Sequence, residues 1–179
     1  MLKENFYILT GGPGAGKTAV IDGLRHAGYT TVRESGRDII RQQVAGGGDA
    51  LPWANRGAYA RLMAERAVAD CLHLRGTQQP VFFDRGLPDV TGYLHLCGLP
   101  IPADIAGVTE DLRYNATVFI APPWEEIYRK DEERKQSFGE AVRTYEVLHE
   151  TYMRMGYTLV VLPKVSAAAR ARFILQQLH

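Results

Sequence analysis

The sequence has no excess of charge of either sign. Its 21 lysines and arginines are balanced by 20 aspartates and glutamates, which leaves a formal net charge of +1 and a pI near 7.8. A broad positive field that would hold a nucleic acid through many phosphate contacts is therefore not expected. Any recognition of phosphate must depend on a few local groups.

Cysteine and long apolar runs are also scarce. Cys71 and Cys97 lie in apolar stretches without a C-x-x-C or Cys/His ligand spacing, and we expect both to be buried thiols in a reducing compartment. The five histidines have no metal-ligand spacing either. No run is long enough for a membrane span, and the apolar stretch within residues 1–10 is too short for a signal peptide. We therefore expect a cytoplasmic protein without a membrane span.

The composition that remains is that of a globular protein. Hydrophobic residues make up 46% of the chain and charged residues 23%, so intrinsic disorder is not indicated. A chain of 179 residues buries about 70% of its unfolded surface in one core. We expect residues 1–179 to form a single domain that needs no disulfide or structural metal.

Short apolar runs alternate with amphipathic segments along the chain. This alternation predicts an α/β fold, with a parallel sheet and helices on both of its faces. The predicted strands cover residues 6–9, 29–33, 80–84, 117–121 and 158–162. The predicted helices cover residues 19–27, 36–45, 53–75, 88–96, 102–112, 138–155 and 166–178.

The first strand runs into a complete G-x-x-x-x-G-K-[ST] motif, followed by a helix as that motif requires. Glycines let successive N–H groups converge on phosphate oxygens, and the helix N-terminus adds partial positive charge. Lys17 is expected to reach the β- and γ-phosphates, and Thr18 to ligate Mg²⁺. The motif predicts a binding site for a nucleoside triphosphate, formed by Gly11, Gly12, Pro13, Gly14, Ala15, Gly16, Lys17 and Thr18.

A second pattern overlaps this motif. Gly14, Gly16 and Ala19 satisfy G-x-G-x-x-[GA], and Glu34 follows at about the distance of a ribose-binding acid in dinucleotide-binding proteins. This pattern is short and permissive, and it leaves Lys17 and Thr18 unexplained. Dinucleotide binding is kept as an alternative hypothesis.

Charged residues follow the second and third strands. Asp84 and Arg85 emerge at the carboxyl edge of the sheet, where Asp84 can hold Mg²⁺ through water and Arg85 can bind a phosphate or an acceptor hydroxyl. Glu34 ends the second strand at the same edge and is a candidate base, with Arg37 as a substrate anchor. The alternatives are that Asp84 only caps the next turn and that Glu34 is a capping or surface residue.

The segment after the fourth strand carries mixed charge. Residues 125–135 contain five acidic and four basic residues, so their total charge does not attract phosphate and their composition predicts a solvated helix. Only individual arginines can stabilise a transferring phosphoryl group there. The candidates are Arg129 and Arg134.

These motifs resemble the NadR-like AAA-domain family of predicted ATPases, P-loop proteins close to nucleoside and nucleotide kinases. The resemblance runs essentially end to end and rests on GGPGAGKT, RESGRDII, VFFDRGLPDVTGYL, RYNATVFIAPPWEEIYRKDEERKQSF and LVVLPKVS. It implies a three-layer P-loop NTPase fold with a five-stranded parallel sheet in the order 2-3-1-4-5. It also implies ATP or GTP with Mg²⁺ in the P-loop, and a kinase-like lid at about residues 124–137 that contains Arg129 and Arg134.

Deoxynucleoside kinases place a catalytic base after the second strand and an acid–arginine pair after the third. Glu34 and the pair Asp84–Arg85 fall at those places. In those kinases a proline follows the acid and a serine or tyrosine follows the arginine, whereas this sequence has Ser35 and Gly86. The identity of the acceptor therefore stays open.

The leading hypothesis is a phosphotransferase that moves the γ-phosphate of ATP·Mg²⁺, or of GTP, to a hydroxyl of a small molecule such as a nucleoside, nucleotide or cofactor precursor. The second is a nucleotide-dependent switch or slow ATPase or GTPase that acts on a protein partner of unknown identity. The third is the dinucleotide-binding protein.

Overall fold

The computed structural model describes residues 1–128 and 137–178. Strands and helices alternate along the chain as predicted, and the five strands and seven helices with the ranges given above are all present. The solvated helix predicted over residues 125–135 lies largely outside the described residues, and its described part forms only a 3₁₀ turn at Glu125–Ile127. The strands are β1 (Phe6–Gly11), β2 (Thr30–Val32), β3 (Val81–Asp84), β4 (Thr117–Ala121) and β5 (Thr158–Val161). The helices are α1 (Lys17–His26), α2 (Gly36–Gly46), α3 (Arg56–His73), α4 (Leu87–Leu96), α5 (Ala103–Asp111), α6 (Phe138–Arg154) and α7 (Ala167–Gln176).

All five strands form one parallel sheet in the order β2-β3-β1-β4-β5. The order implied by the sequence resemblance is therefore confirmed. In the register of the sheet, Leu9 of β1 lies opposite Asp84 of β3, and Gly11 lies opposite Ala121 of β4. The ends of β1, β3 and β4 consequently meet at one carboxyl edge, and β2 ends beside β3.

Alternate residues of β1 enter two separate cores, because neighbouring side chains of a strand point to opposite faces of the sheet. Phe6 and Ile8 pack with the helices α3, α4, α5 and α6. Tyr7 and Leu9 pack on the other face, with α1 and α7. The result is a three-layer arrangement in which both faces of the sheet are covered.

Two sequence predictions need correction. The helix expected from residue 53 begins at Arg56, because the side chain of Asn55 accepts a hydrogen bond from the Ala58 N–H (3.1 Å) and caps the helix there. Cys71 is fully buried, but Cys97 is only half-buried at the end of α4. Among the described helices, none is both long and apolar enough to cross a membrane.

Candidate functional site

The segment from Gly11 to Thr18 leads directly from β1 into α1. Gly14 and Gly16 have φ angles of 74° and 82°, left-handed values that glycine adopts without the steric cost of a Cβ atom. Left-handed residues placed in this way let successive backbone N–H groups form a concave anion-binding surface. The N-terminus of α1, at Lys17, adds its partial positive charge to that surface.

The first two glycines of the loop are needed for close packing. A Cβ atom at Gly11 would lie 2.5 Å from the carbonyl oxygen of Ala121 in β4. A Cβ atom at Gly12 would overlap the carbonyl oxygen of Ala141 in α6. The loop is therefore fixed between β4 and α6, and no larger residue fits at these two positions without displacing the neighbouring backbone.

The side chain of Lys17 folds over its own loop. It is buried, and its Nζ donates a hydrogen bond to the Gly12 carbonyl oxygen at 2.9 Å. Burial, together with the positive charge of Arg85, lowers the pKa of the Lys17 amine to about 8. Phosphate oxygens at the loop would compete with Gly12 for this ammonium group. Thr18, the next residue, is exposed.

Glu34 and Arg85 meet at the carboxyl edge of the sheet. Arg85 Nε lies 3.4 Å from Glu34 Oε1, so the residues that follow β2 and β3 form an ion pair. Burial opposes the ionisation of Glu34, but the charges of Arg85, Lys17 and Arg37 outweigh it and lower the pKa of the carboxyl group. Glu34 is thus an ionised group paired with Arg85.

Asp84 ends β3 with one carboxylate oxygen unsatisfied. The residue is 7% exposed, and its buried Oδ1 has no hydrogen-bond partner among the described residues. Burial raises the pKa of the carboxyl group to about 6, although the charge of Lys17 opposes the shift. An orphaned carboxylate oxygen beside a phosphate-binding loop fits a hydrated Mg²⁺, which takes oxygen ligands. The residues that would hold the ion are Asp84, through water, and Thr18.

No group of three or more His, Cys, Asp or Glu side chains with metal-binding geometry occurs within residues 1–128 and 137–178.

A second carboxylate, Asp89, organises the residues after β3. It is buried in the first turn of α4 and accepts hydrogen bonds from Thr10 Oγ1 (2.5 Å), Tyr152 Oη (2.5 Å) and the Gly86 N–H (2.8 Å). It also accepts one from Arg85 Nη1 at 3.2 Å. The N-terminus of α4 is therefore capped by Asp89 rather than by Asp84.

Arg85 has a strained backbone. Its φ of 74° makes it the one residue other than glycine with a positive φ in the described part of the chain, a conformation that costs free energy when a Cβ atom is present. The guanidinium is held on one side by Glu34 and on the other by Asp89. These carboxylates raise the pKa of Arg85 despite its burial, so the arginine is a fixed positive charge at the crevice.

The remaining predicted residues lie around this crevice or outside the described chain. Arg37 is exposed in the first turn of α2, close enough for its charge to lower the pKa of Glu34. Arg129 and Arg134 fall outside the described residues, so their role stays a prediction. The described start of the lid segment forms a short 3₁₀ turn, Glu125–Ile127.

A protein-family model described as an AAA domain matches residues 6–170 of the chain. The chain belongs to this AAA domain family. The resemblance predicted from the sequence, to P-loop NTPases related to nucleoside and nucleotide kinases, is confirmed. No curated protein sequence matches this AAA domain.

Solved structures share the fold at low sequence identity. A NadR protein in complex with NR matches 97% of this chain at 17% identity with a TM-score of 0.68. A deoxyadenosine kinase from M. mycoides, with products dCMP and dCDP bound, matches 97% at 14% identity and a TM-score of 0.62, over 98% of its own chain. A shikimate kinase from Acinetobacter baumannii, in complex with shikimate, matches 96% at 14% identity and a TM-score of 0.57, over 90% of its own chain.

The chain spans about half the length of the NadR protein, since the match covers 51% of that chain. The common fold is that of P-loop kinases and ATPases. It does not favour dinucleotide binding, because in a Rossmann sheet β2 lies beside β1, whereas here β3 separates them. Glu34 accordingly pairs with Arg85, the residue that follows β3.

Several residues of the site in this AAA domain were not found from the sequence. Asp89 and its partners Thr10 and Tyr152 were assigned no role. Tyr59 of α3 is buried, and burial together with the charge of Glu34 raises the pKa of its hydroxyl to about 12. Asp89 carries a usable signal, because an acid at the third position of a helix caps its N-terminus. For Tyr59 and Tyr152, the sequence pattern indicates only that each belongs to the apolar stripe of a helix, and it does not indicate a role in the site.

Proposed function

We propose that the protein is a phosphotransferase that moves the γ-phosphate of ATP to a hydroxyl of a small molecule, with GTP as a possible donor. The observation that carries the proposal is the meeting of three groups at one sheet edge: the P-loop with Lys17, the unsatisfied carboxylate of Asp84, and the Glu34–Arg85 ion pair. A P-loop alone serves binding or hydrolysis equally well. An ionised carboxylate opposite it adds a group that can accept the proton of an acceptor hydroxyl.

Each residue of the site has a separate role in the proposed phosphoryl transfer. The acceptor oxygen attacks the γ-phosphorus, its proton passes to the Glu34 carboxylate, and the bond from the γ-phosphorus to the β–γ bridging oxygen breaks to release ADP. Lys17 and Arg85 neutralise charge on the phosphoryl group during transfer. When bound, Mg²⁺ would supply further charge neutralisation on the phosphate oxygens, held by Thr18 and by Asp84 through water.

The structurally similar proteins support a small molecule as the phosphate acceptor. Their printed names include a deoxyadenosine kinase and a shikimate kinase, so kinases of small molecules share this fold. We propose that the acceptor is a nucleoside, nucleotide or cofactor-like molecule that binds beside the Glu34–Arg85 ion pair, with Arg37 as an anchor. Arg129 and Arg134 are proposed to complete the site from the lid segment.

The test is transfer from γ-labelled ATP, with Mg²⁺, to a panel of nucleosides, nucleotides and cofactor precursors. We expect a labelled product from at least one acceptor, and we expect its formation to be lost in Lys17→Met. The matched control is Lys3→Met, because Lys3 precedes β1 at the opposite edge of the sheet and should leave transfer unchanged. Tight ATP binding without Lys17-dependent transfer to any acceptor would rule the proposal out.

A nucleotide-dependent switch or slow ATPase is the second candidate. It is favoured by the contact of Gly12 with Ala141 of α6, the helix that follows the lid segment. A change in the loop on nucleotide binding or hydrolysis would be transmitted to α6 through this contact. Hydrogen exchange of α6 distinguishes this candidate, because a switch requires different protection with ATP and with ADP.

A further inference from the structure

Arg170 of α7 is buried against the P-loop. Its side chain joins distant parts of the chain: Nη1 donates a hydrogen bond to the Ala15 carbonyl oxygen at 2.7 Å, and Nε donates one to the Pro163 carbonyl oxygen, also at 2.7 Å. Arg170 is 1% exposed. The guanidinium is thus a fixed link between the phosphate-binding loop and the loop after β5.

The positive charge of Arg170 has no carboxylate partner within residues 1–128 and 137–178. Its Nη2 is buried and makes no hydrogen bond there. A buried charge without an opposite charge nearby is unfavourable, because carbonyl oxygens offset its desolvation only in part. Burial accordingly lowers the pKa of the guanidinium.

The same guanidinium contacts the start of the lid segment. It lies over the ring of Trp124, with its central carbon 4.9 Å from the ring centroid. Ile127, in the 3₁₀ turn that follows, would be 3.2 Å from a Cβ atom placed on Gly16. Arg170 therefore lies between the P-loop and the residues that lead into the lid.

The bond to Ala15 has a geometric consequence at the next residue. In a trans peptide unit the C=O and the N–H point in opposite directions, and the structure contains no cis peptide bond among its described residues. A donor that holds the Ala15 carbonyl on the α7 side therefore directs the Gly16 N–H to the opposite side. Gly16, whose N–H belongs to this peptide, and Gly14, the residue before Ala15, both have left-handed φ angles. Because glycine adopts several φ regions at little cost, contacts such as this one set the orientation of the peptide.

We propose that Arg170 is a positioning residue of the nucleotide site: its bond to the Ala15 carbonyl directs the Gly16 N–H into the phosphate-binding surface, and its unpaired charge is complemented there by the phosphates. The inference rests on the proposed binding of a nucleoside triphosphate in the P-loop, but not on phosphoryl transfer. It assigns a role in phosphate binding to a residue far from the motif.

Calorimetric titration with Mg·ATP and with Mg·tripolyphosphate tests the inference. Arg170→Met should weaken both ligands by the same factor, about 10- to 100-fold, as expected for a lost charge-assisted hydrogen bond. The matched control is Arg172→Met, an exposed arginine two residues along the same helix, which should bind both ligands as the wild type does. A loss confined to ATP would overturn the inference, since it would place the effect on the nucleoside.

A second variant keeps the test decisive if Arg170→Met fails to fold. Arg170→Lys retains the charge but reaches only one of the two carbonyl oxygens, because an ammonium group lacks the planar fork of arginine. We expect Arg170→Lys to weaken tripolyphosphate binding by about 3- to 10-fold. Binding equal to that of the wild type overturns the inference.

Tryptophan emission provides a readout that a general loss of stability would not imitate. In a Trp53→Phe background Trp124 is the remaining tryptophan, and we expect tripolyphosphate to change its emission only while Arg170 is present. If the wild type binds neither ATP, GTP nor tripolyphosphate, both the proposed function and this inference fail. If it binds them and Arg170→Met binds equally well, the inference alone fails.

Discussion

Tyr152 donates its phenolic hydrogen to Asp89 across 2.5 Å and thereby joins α6 to the first turn of α4. Both residues are buried. The same carboxylate binds Thr10, the residue of β1 directly before the P-loop glycines, and Arg85 at the crevice. One buried carboxylate thus connects four segments of the chain behind the candidate site.

Removal of the Tyr152 hydroxyl is expected to destabilise the protein. Tyr152→Phe leaves the Asp89 carboxylate one donor short in a buried position, at a cost of about 1–3 kcal/mol in the free energy of unfolding. Tyr145→Phe, the same change at a half-buried position of α6, should cost clearly less. Urea unfolding of the two variants measures the difference, and equal losses would contradict the role assigned to Asp89.

Glu34→Gln is expected to lower turnover without weakening nucleotide binding. The loss of the proposed general base should reduce kcat by about 10²- to 10⁴-fold, whereas the KM for ATP should stay unchanged because we propose that Glu34 contacts the acceptor and not the nucleotide. Glu65→Gln, at an exposed position of α3, is the control. A proportional rise in the KM for ATP would instead indicate a role in nucleotide binding.

The ionisation of Glu34 predicts how the stability of the protein changes with pH. Because the folded-state pKa of this carboxyl is lowered, Glu34 is ionised at neutral pH and stabilises the fold above its unfolded pKa. That contribution is lost as pH falls through the lowered folded value. Turnover should therefore show no loss from Glu34 protonation near neutral pH, and the acid limb of unfolding should be shallower in Glu34→Gln than in the wild type.

A single methyl group at Gly12 should separate the P-loop from α6. In Gly12→Ala the new Cβ would overlap the Ala141 carbonyl oxygen, and we expect a loss of about 1–3 kcal/mol in unfolding free energy together with weaker ATP binding. Gly107→Ala in α5 is the matched control, because a Cβ atom there has no neighbour within 4 Å. That control should be neutral or slightly stabilising, since alanine favours helix.

The two thiols should differ in reactivity. Burial, offset in part by the Tyr114 contact, raises the pKa of Cys71 from 9.0 to about 11, so we expect a thiol reagent at neutral pH to label only Cys97 in the native protein and both thiols after unfolding. Between pH 9 and 11 the unfolded chain loses the Cys71 proton while the folded protein keeps it. Stability should therefore fall with rising pH over this range, more steeply in Cys97→Ala than in Cys71→Ala.

The fold could be predicted because the sequence patterns that indicate each strand and helix lie within that strand or helix. Buried parallel strands are short apolar runs, and each helix carries its own apolar stripe, as in the pairs of β1 and α1 or β3 and α4. The P-loop is likewise contained in eight consecutive residues. The start of α3 was misplaced by three residues because the capping side chain of Asn55, and not the aromatic residue before it, determines where the helix begins.

The site was predictable only where strand ends bring residues together. Glu34 and Asp84–Arg85 follow strands, so their shared edge can be inferred from the parallel sheet. Their pairing depends on the strand order, in which β2 lies beside β3, and composition does not reveal that order. Arg170 has no local signal at all, since it contacts Ala15 across 155 positions of the sequence.

That separation has a consequence for synthesis of the protein. The phosphate-binding motif, residues 11–18, precedes the helix α7 that carries Arg170 by about 150 positions, so it is synthesised well before that helix. Until then the Ala15 carbonyl has no donor from α7, although β3 and β4, the parallel partners of β1, have already been synthesised. The motif that is easiest to recognise in the sequence therefore acquires the geometry that we propose for it only after α7 has been synthesised.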